Sequence, residues 1–89
     1  MDEIAKHSIT KRLVLLQSQL RGLQKMVDDD RDSIDVLTLL AAIRAALEAV
    51  GTMILTEQVA ETLMLGEGAS EQAREQAAQV RIALQRFIG

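Results

Sequence analysis

Between Ile9 and Val27 the large apolar residues recur at intervals of four, three, four, three and four: Ile9, Leu13, Leu16, Leu20, Leu23 and Val27. That interval keeps them on one side of an α-helix. It is the stripe of a helix packed lengthwise in a left-handed bundle. Asp28-Asp29-Asp30 ends the pattern, because aspartate is a poor helix former and its charge is unfavourable at a helix C-terminus. The interval then returns at Val36, Leu40, Ile43, Leu47, Val50 and Ile54, with a second track, Leu39, Ala42, Ala46, Ala49 and Met53, beside it. A helix apolar over so much of its circumference needs neighbours on more than one side.

Asp32 or Ser33 is the expected N-cap of this second helix, and Asp35 in its first turn suits the positive end of the helix dipole. Gly66 and Gly68 supply conformations that stop a helix, and Ser70 is placed to cap a third. The stripe of that third helix is Ala73, Ala77, Val80, Leu84 and Phe87, with Glu71 near its start and Arg86 near its end. The predicted helices cover about residues 3–28, 33–64 and 70–88. No segment shows strand alternation, an internal repeat or low complexity, so the fold class is all-α, a three-helix protomer in one domain over residues 1–89. A helix from 33 to 64 is roughly 47 Å long at about 1.5 Å per residue. Such a rod overhangs a single small fold and is expected to pair with its copy in another chain.

Composition supports this. A chain of 89 residues buries a modest core when alone, and with no cysteine it has neither disulfides nor thiolate metal sites to add stability. Oligomerisation is the remaining common remedy. One Phe and no Trp, Tyr or Pro leave aliphatic side chains to pack helix on helix. The first twelve residues are too polar for a signal peptide, and Thr38, Arg44 and Glu48 interrupt the apolar run of the second helix, which argues against a membrane span. The cytoplasm is the expected compartment.

The net charge of −3 is unevenly spread. Residues 1–27 carry Lys6, Lys11, Arg12, Arg21 and Lys25 against only Asp2 and Glu3, whereas residues 28–32 and 33–66 are each acidic and the tail is neutral. Only the first helix is basic. On a projection of about 100° per residue, Lys11, Arg21 and Lys25 share the side opposite the apolar stripe.

Several phrases stand in one frame: Arg12, then Gln19-Leu20-Arg21-Gly22-Leu23, Asp30-Arg31-Asp32-Ser33-Ile34-Asp35-Val36-Leu37-Thr38 and Ala41-Ala42-Ile43-Arg44-Ala45-Ala46-Leu47. Over residues 9–64 the chain thereby resembles the CsoR/RcnR/FrmR family of small helical bacterial repressors that sense metals or thiols. The resemblance implies an antiparallel four-helix-bundle dimer, expected to pair into a tetramer, that binds operator DNA through flat helical faces without a helix-turn-helix. In that family a cysteine starts the second helix and a histidine lies near its far end, with a further cysteine one turn on in the copper sensors. Those positions fall here on Ser33, Gln58 and Thr62. A protonated hydroxyl, an amide and a threonine suit neither Cu(I) nor Zn²⁺. Expected instead is a vestigial pocket across the dimer, held by hydrogen bonds or accepting a small polar or anionic ligand, with no metal and no cofactor.

His7 is the only histidine and makes no site alone; with Ser33 it lacks an acidic partner and an oxyanion feature, so no catalytic residue is expected and the chain is not read as an enzyme. The resemblance implies DNA contacts by Lys11, Arg12, Arg21, Lys25 and Arg44, although Arg44 equally suits an i,i+4 pair with Glu48. The chain departs from the family at Val14 and Leu15, where basic residues are usual. Two apolar residues inside a basic face weaken phosphate binding and resemble a protein contact. Three functions stay open: an operator-binding regulator uncoupled from copper, an interaction protein that binds a protein partner or an intact paralogue, and a small-molecule binder.

Overall fold

The computed structural model contains three helices, α1 (Glu3–Asp28), α2 (Ser33–Met64) and α3 (Glu71–Ile88). It describes residues 1–64 and 71–89, and the side chains of these other than 62–64, 72 and 73. Gly66, Gly68 and Ser70, expected to stop α2 and cap α3, lie outside the described residues, as does the side chain of Ala73.

Local chemistry sets the ends of the first two helices. The Asp2 carboxylate caps α1, accepting from the Ala5 N–H at 2.7 Å. At the far end Asp30 takes a left-handed conformation (φ 53°). The Arg31 N–H then reaches back to the Met26 carbonyl at 2.9 Å and the Asp30 N–H to Val27 at 3.1 Å. This pairing satisfies carbonyls that a bare helix end leaves open. Of the two candidate caps for α2, Asp32 does the work: its Oδ1 accepts from the Ile34 N–H at 3.1 Å.

α1 and α2 form an antiparallel hairpin whose core is Ile9, Leu16, Ile43 and Val50, flanked by the partly buried Leu23, Leu39, Ala46 and Met53. Here the expected stripes need correction. Leu13, Leu20 and Val27 of α1 are 41%, 50% and 57% exposed, and Leu40, Leu47 and Ile54 of α2 are 45%, 47% and 43% exposed. A pair of helices covers only one edge of each stripe, so alternate members are buried in the seam. The uncovered members of both helices emerge on one side of the hairpin as a shared apolar face. Likewise Ala77 and Phe87 of the α3 stripe are exposed, while Val80 and Leu84 are half-buried.

The result is a thin slab of 57 × 28 × 14 Å with a radius of gyration of 17.4 Å. A compact chain of this length would have a radius near 12 Å. Its accessible surface, 7216 Å², exceeds the roughly 5,200 Å² expected of a folded monomer of this mass. By length and apolarity alone, Ser33–Glu61 of α2 suffices to cross a membrane. The two-sided packing of this helix gives another reason for the same apolarity, since a helix in the middle of a bundle also carries apolar residues all round.

Candidate nucleic-acid interface

The side of α1 turned away from α2 carries Lys11, Arg21 and Lys25, all exposed, with Arg12 exposed nearer the hairpin seam. The Arg21 guanidinium donates to Ser18 Oγ at 3.2 Å, one turn earlier on the same helix. That bond holds the side chain along the helix while leaving its other donors to solvent. On α2, Arg44 pairs with Glu48 at 3.4 Å, with the two side chains 83% and 61% exposed. So open an ion pair contributes little and exchanges readily for another anion. Every basic residue singled out from the sequence is therefore accessible to a phosphate. Val14 and Leu15 are also exposed, at 56% and 61%.

Within one protomer the three pocket positions are not brought together. Ser33 starts α2, lining a shallow cleft at the α1–α2 joint with Val27, Asp30, Arg31, Val36 and Leu37. Gln58 lies about 37 Å further along the same helix at about 1.5 Å per residue. It edges a larger groove of about 710 Å³ between α2 and α3, whose walls include Leu47, Ile54, Val80 and Phe87. The side chain of Thr62 lies outside the described residues. Ser33 and Gln58 project to the same side of α2, within about 20° of each other. Antiparallel pairing of two α2 helices would bring one chain's start beside the other's end. His7 is exposed on α1. Among the described residues no group of three or more His, Cys, Asp or Glu side chains is arranged to hold a metal ion. A hydroxyl and two uncharged side chains do not fit Cu(I), which selects soft sulfur donors.

One contact is not evident from the apolar pattern. The terminal amine of Met1 pairs with Glu61 Oε1, and the Asp2 N–H lies 3.5 Å from Glu57 Oε2. The hydrogen bond that the amine donates to Glu61, followed by the charge of that carboxylate, raises the amine pKa above its usual 8.0. Glu57 and Glu61 stand four residues apart on the flank of α2 facing the start of α1. Their i,i+4 spacing, with the hairpin register, was the available signal.

Residues 5–86 match the family described as metal-sensitive transcriptional repressor. The copper-sensing transcriptional repressor CsoR of Bacillus subtilis (strain 168) is 36% identical over 67 residues, covering 71% of this chain and 66% of that protein, just under two thirds of its length. The copper-sensing transcriptional repressor RicR of Mycobacterium tuberculosis (strain ATCC 25618 / H37Rv) is 35% identical over 65 residues, 71% of this chain and 68% of that one. Among solved structures, the copper-sensing repressor CsoR with Cu(I) from Geobacillus thermodenitrificans NG80-2 superimposes with a TM-score of 0.79 at 32% identity, covering 100% of this chain and 92% of that one.

Proposed function

The chain belongs to the family of metal-sensitive transcriptional repressors, a repressor-type regulator and not an enzyme, and from that premise we propose that it binds operator DNA as a homo-oligomer without sensing copper. What carries the proposal is the coincidence of family membership over residues 5–86 with an accessible basic α1 face in an otherwise acidic chain. Lys11, Arg12, Arg21, Lys25 and Arg44 are the proposed phosphate contacts.

Two hairpins pair antiparallel through the uncovered Leu13, Leu20, Leu40, Leu47 and Ile54, giving a four-helix bundle, and two such dimers form the tetramer. Burying these residues removes part of the excess surface, and each large side chain taken from water contributes about 1.5–3 kcal/mol before association costs. Pairing also unites basic faces from several chains, which raises the local potential toward DNA. The protein works in the cytoplasm, where its DNA is. In the dimer, the start of one α2, at Ser33, lies beside the far end of the other, at positions 58 and 62, and a polar pocket there accepts a small polar or anionic ligand or none.

A titration of the protein against DNA flanking its own gene, repeated at several salt concentrations, tests the proposal. Specific binding should weaken in Arg21→Ala and Arg44→Ala, and the salt slope should fall by about 0.9 for each phosphate no longer neutralised. Absence of binding at low salt would refute it. A second reading, an interaction protein on the same scaffold, is favoured by one observation: Val14 and Leu15 stand exposed inside the face proposed for DNA.

A further inference from the structure

On α1 a second set of residues, Ile4, Ser8, Lys11, Leu15, Ser18, Gly22 and Lys25, recurs at intervals of four, three, four, three, four and three. This strip lies well round the helix from α2, and every member is exposed, Ile4 at 83% and Leu15 at 61%. A 4-3 track runs along every face of a helix, and this one is marked by its residues: two large apolar, three small and two lysines. None of the described residues of this chain packs against it. We propose that this strip is a docking seam for an acidic amphipathic helix of another protein.

Two observations beyond the spacing support it. Gly22 stands in the interior of α1, where glycine weakens a helix, yet a side chain there would meet nothing within 4 Å. No contact with a described residue of the chain accounts for the missing side chain. With Ser18 one turn before it, Gly22 leaves the backbone there open to close approach from outside. Charge then selects the guest. Lys11 and Lys25 belong to the strip and Arg21 flanks it, in a segment whose cations outnumber its acids five to two. A guest helix that covers Ile4 and Leu15 with its own apolar stripe and carries Asp or Glu beside it meets all three cations. A second copy of α1 does not fit. Antiparallel pairing about Ser18 sets Lys11 against Lys25 of the partner subunit, and parallel pairing sets like residues together, so both arrangements oppose like charges.

This inference names the partner chemistry of the second reading above, and it is tested separately from DNA binding. The full chain is titrated into a fluorescein-labelled peptide of about 21 residues, three heptads with Leu at the seam positions and Glu beside them. Fluorescence anisotropy reports binding, and the same peptide with Lys for Glu serves as control. The acidic peptide should bind, less tightly as salt rises, and the basic one should not. Gly22→Leu, which fills only open space within its own chain, and Leu15→Glu should each weaken binding by about tenfold or more. Lys25→Glu is a second charge-sensitive variant should either fail to fold by circular dichroism. Equal binding of both peptides, or affinity unchanged in Gly22→Leu, would overturn the proposal. So would a change of oligomeric state in Gly22→Leu, because the seam would then belong to a second copy. DNA is withheld from the peptide titration because Lys11, Arg21 and Lys25 are also the proposed phosphate contacts, and the separate DNA titration tells failure of that reading from failure of this one.

Discussion

The ring of Phe87, near the end of α3, occupies the space that a side chain at Gly51 of α2 would need. A β-carbon built at Gly51 would stand 2.6 Å and 2.8 Å from the ring Cε1 and Cε2 atoms, closer than such atoms ever approach. Phe87 is half-exposed, so its ring can yield to one methyl group but not to a larger side chain. The absence of a side chain at position 51 is therefore what lets α3 lie close on α2.

The two helix-interior glycines should consequently respond in opposite directions. Gly22→Ala, in open space, gains helix propensity with no clash and should stabilise the protein by about 1 kcal/mol, a rise of several degrees in Tm for a domain of this size. Gly51→Leu should lower Tm by displacing Phe87 and loosening α3. Thermal unfolding followed by circular dichroism measures both.

Asp30 holds the left-handed position that closes α1. An L-residue pays roughly 1–2 kcal/mol there, which glycine avoids, and glycine also removes a negative charge from a helix C-terminus. Asp30→Gly should therefore stabilise the hairpin by about 1 kcal/mol, and Asp30→Val should destabilise it by at least as much. Chemical denaturation of the two variants against the parent gives the sign and size.

The Met1 amine carries a pKa raised by the Glu61 carboxylate. A group whose pKa is higher folded than unfolded contributes stability that is complete below its unfolded value and is lost as pH rises through the folded one. The pairing should hold the start of α1 onto α2 at neutral pH and fade in alkaline solution, above the usual 8.0 of such an amine. The loss is confined to that end of the hairpin. Hydrogen exchange at the first turns of α1 should accelerate with pH beyond its intrinsic base dependence, and Glu61→Gln should remove the excess.

The uncovered apolar face predicts self-association. Leu20→Glu and Leu47→Glu each place a charge where a second hairpin is proposed to pack, at positions 50% and 47% exposed in the single chain. Their own fold should survive, because neither belongs to the Ile9–Leu16–Ile43–Val50 core. Each dimer takes the change twice, and the dissociation constant should rise by roughly a hundredfold or more. Sedimentation at several concentrations measures it.

The helices and their order are legible in the sequence because the 4-3 spacing, the aspartate cluster and the absence of proline act locally. Which half of each stripe enters the core is not. Ile9 and Leu13 are equivalent by pattern, and only the rotation of α1 against α2 buries the first and leaves the second in water. Similarly, Asp32 and Ser33 are equal as caps until the chain direction after Asp30 is fixed. Lys11, Arg21 and Lys25 were legible as exposed because their stripe opposes the apolar one. The pairing of Ser33 with Gln58 rests only on a family arrangement of two chains; within one helix they stand far apart. The Glu61 pairing with Met1 joins the two ends of the hairpin, and the i,i+4 spacing of Glu57 and Glu61 signals it only once the register of α1 on α2 is known.

The central proposal is a repressor of this family that binds DNA and has lost its response to copper. The most direct measurement is a fluorescence-anisotropy titration of the protein against its own upstream DNA, run anaerobically with and without one equivalent of Cu(I). Binding of the same affinity in both, reduced by Arg21→Ala, is the expected result. Release of the DNA by Cu(I) at that stoichiometry would contradict it.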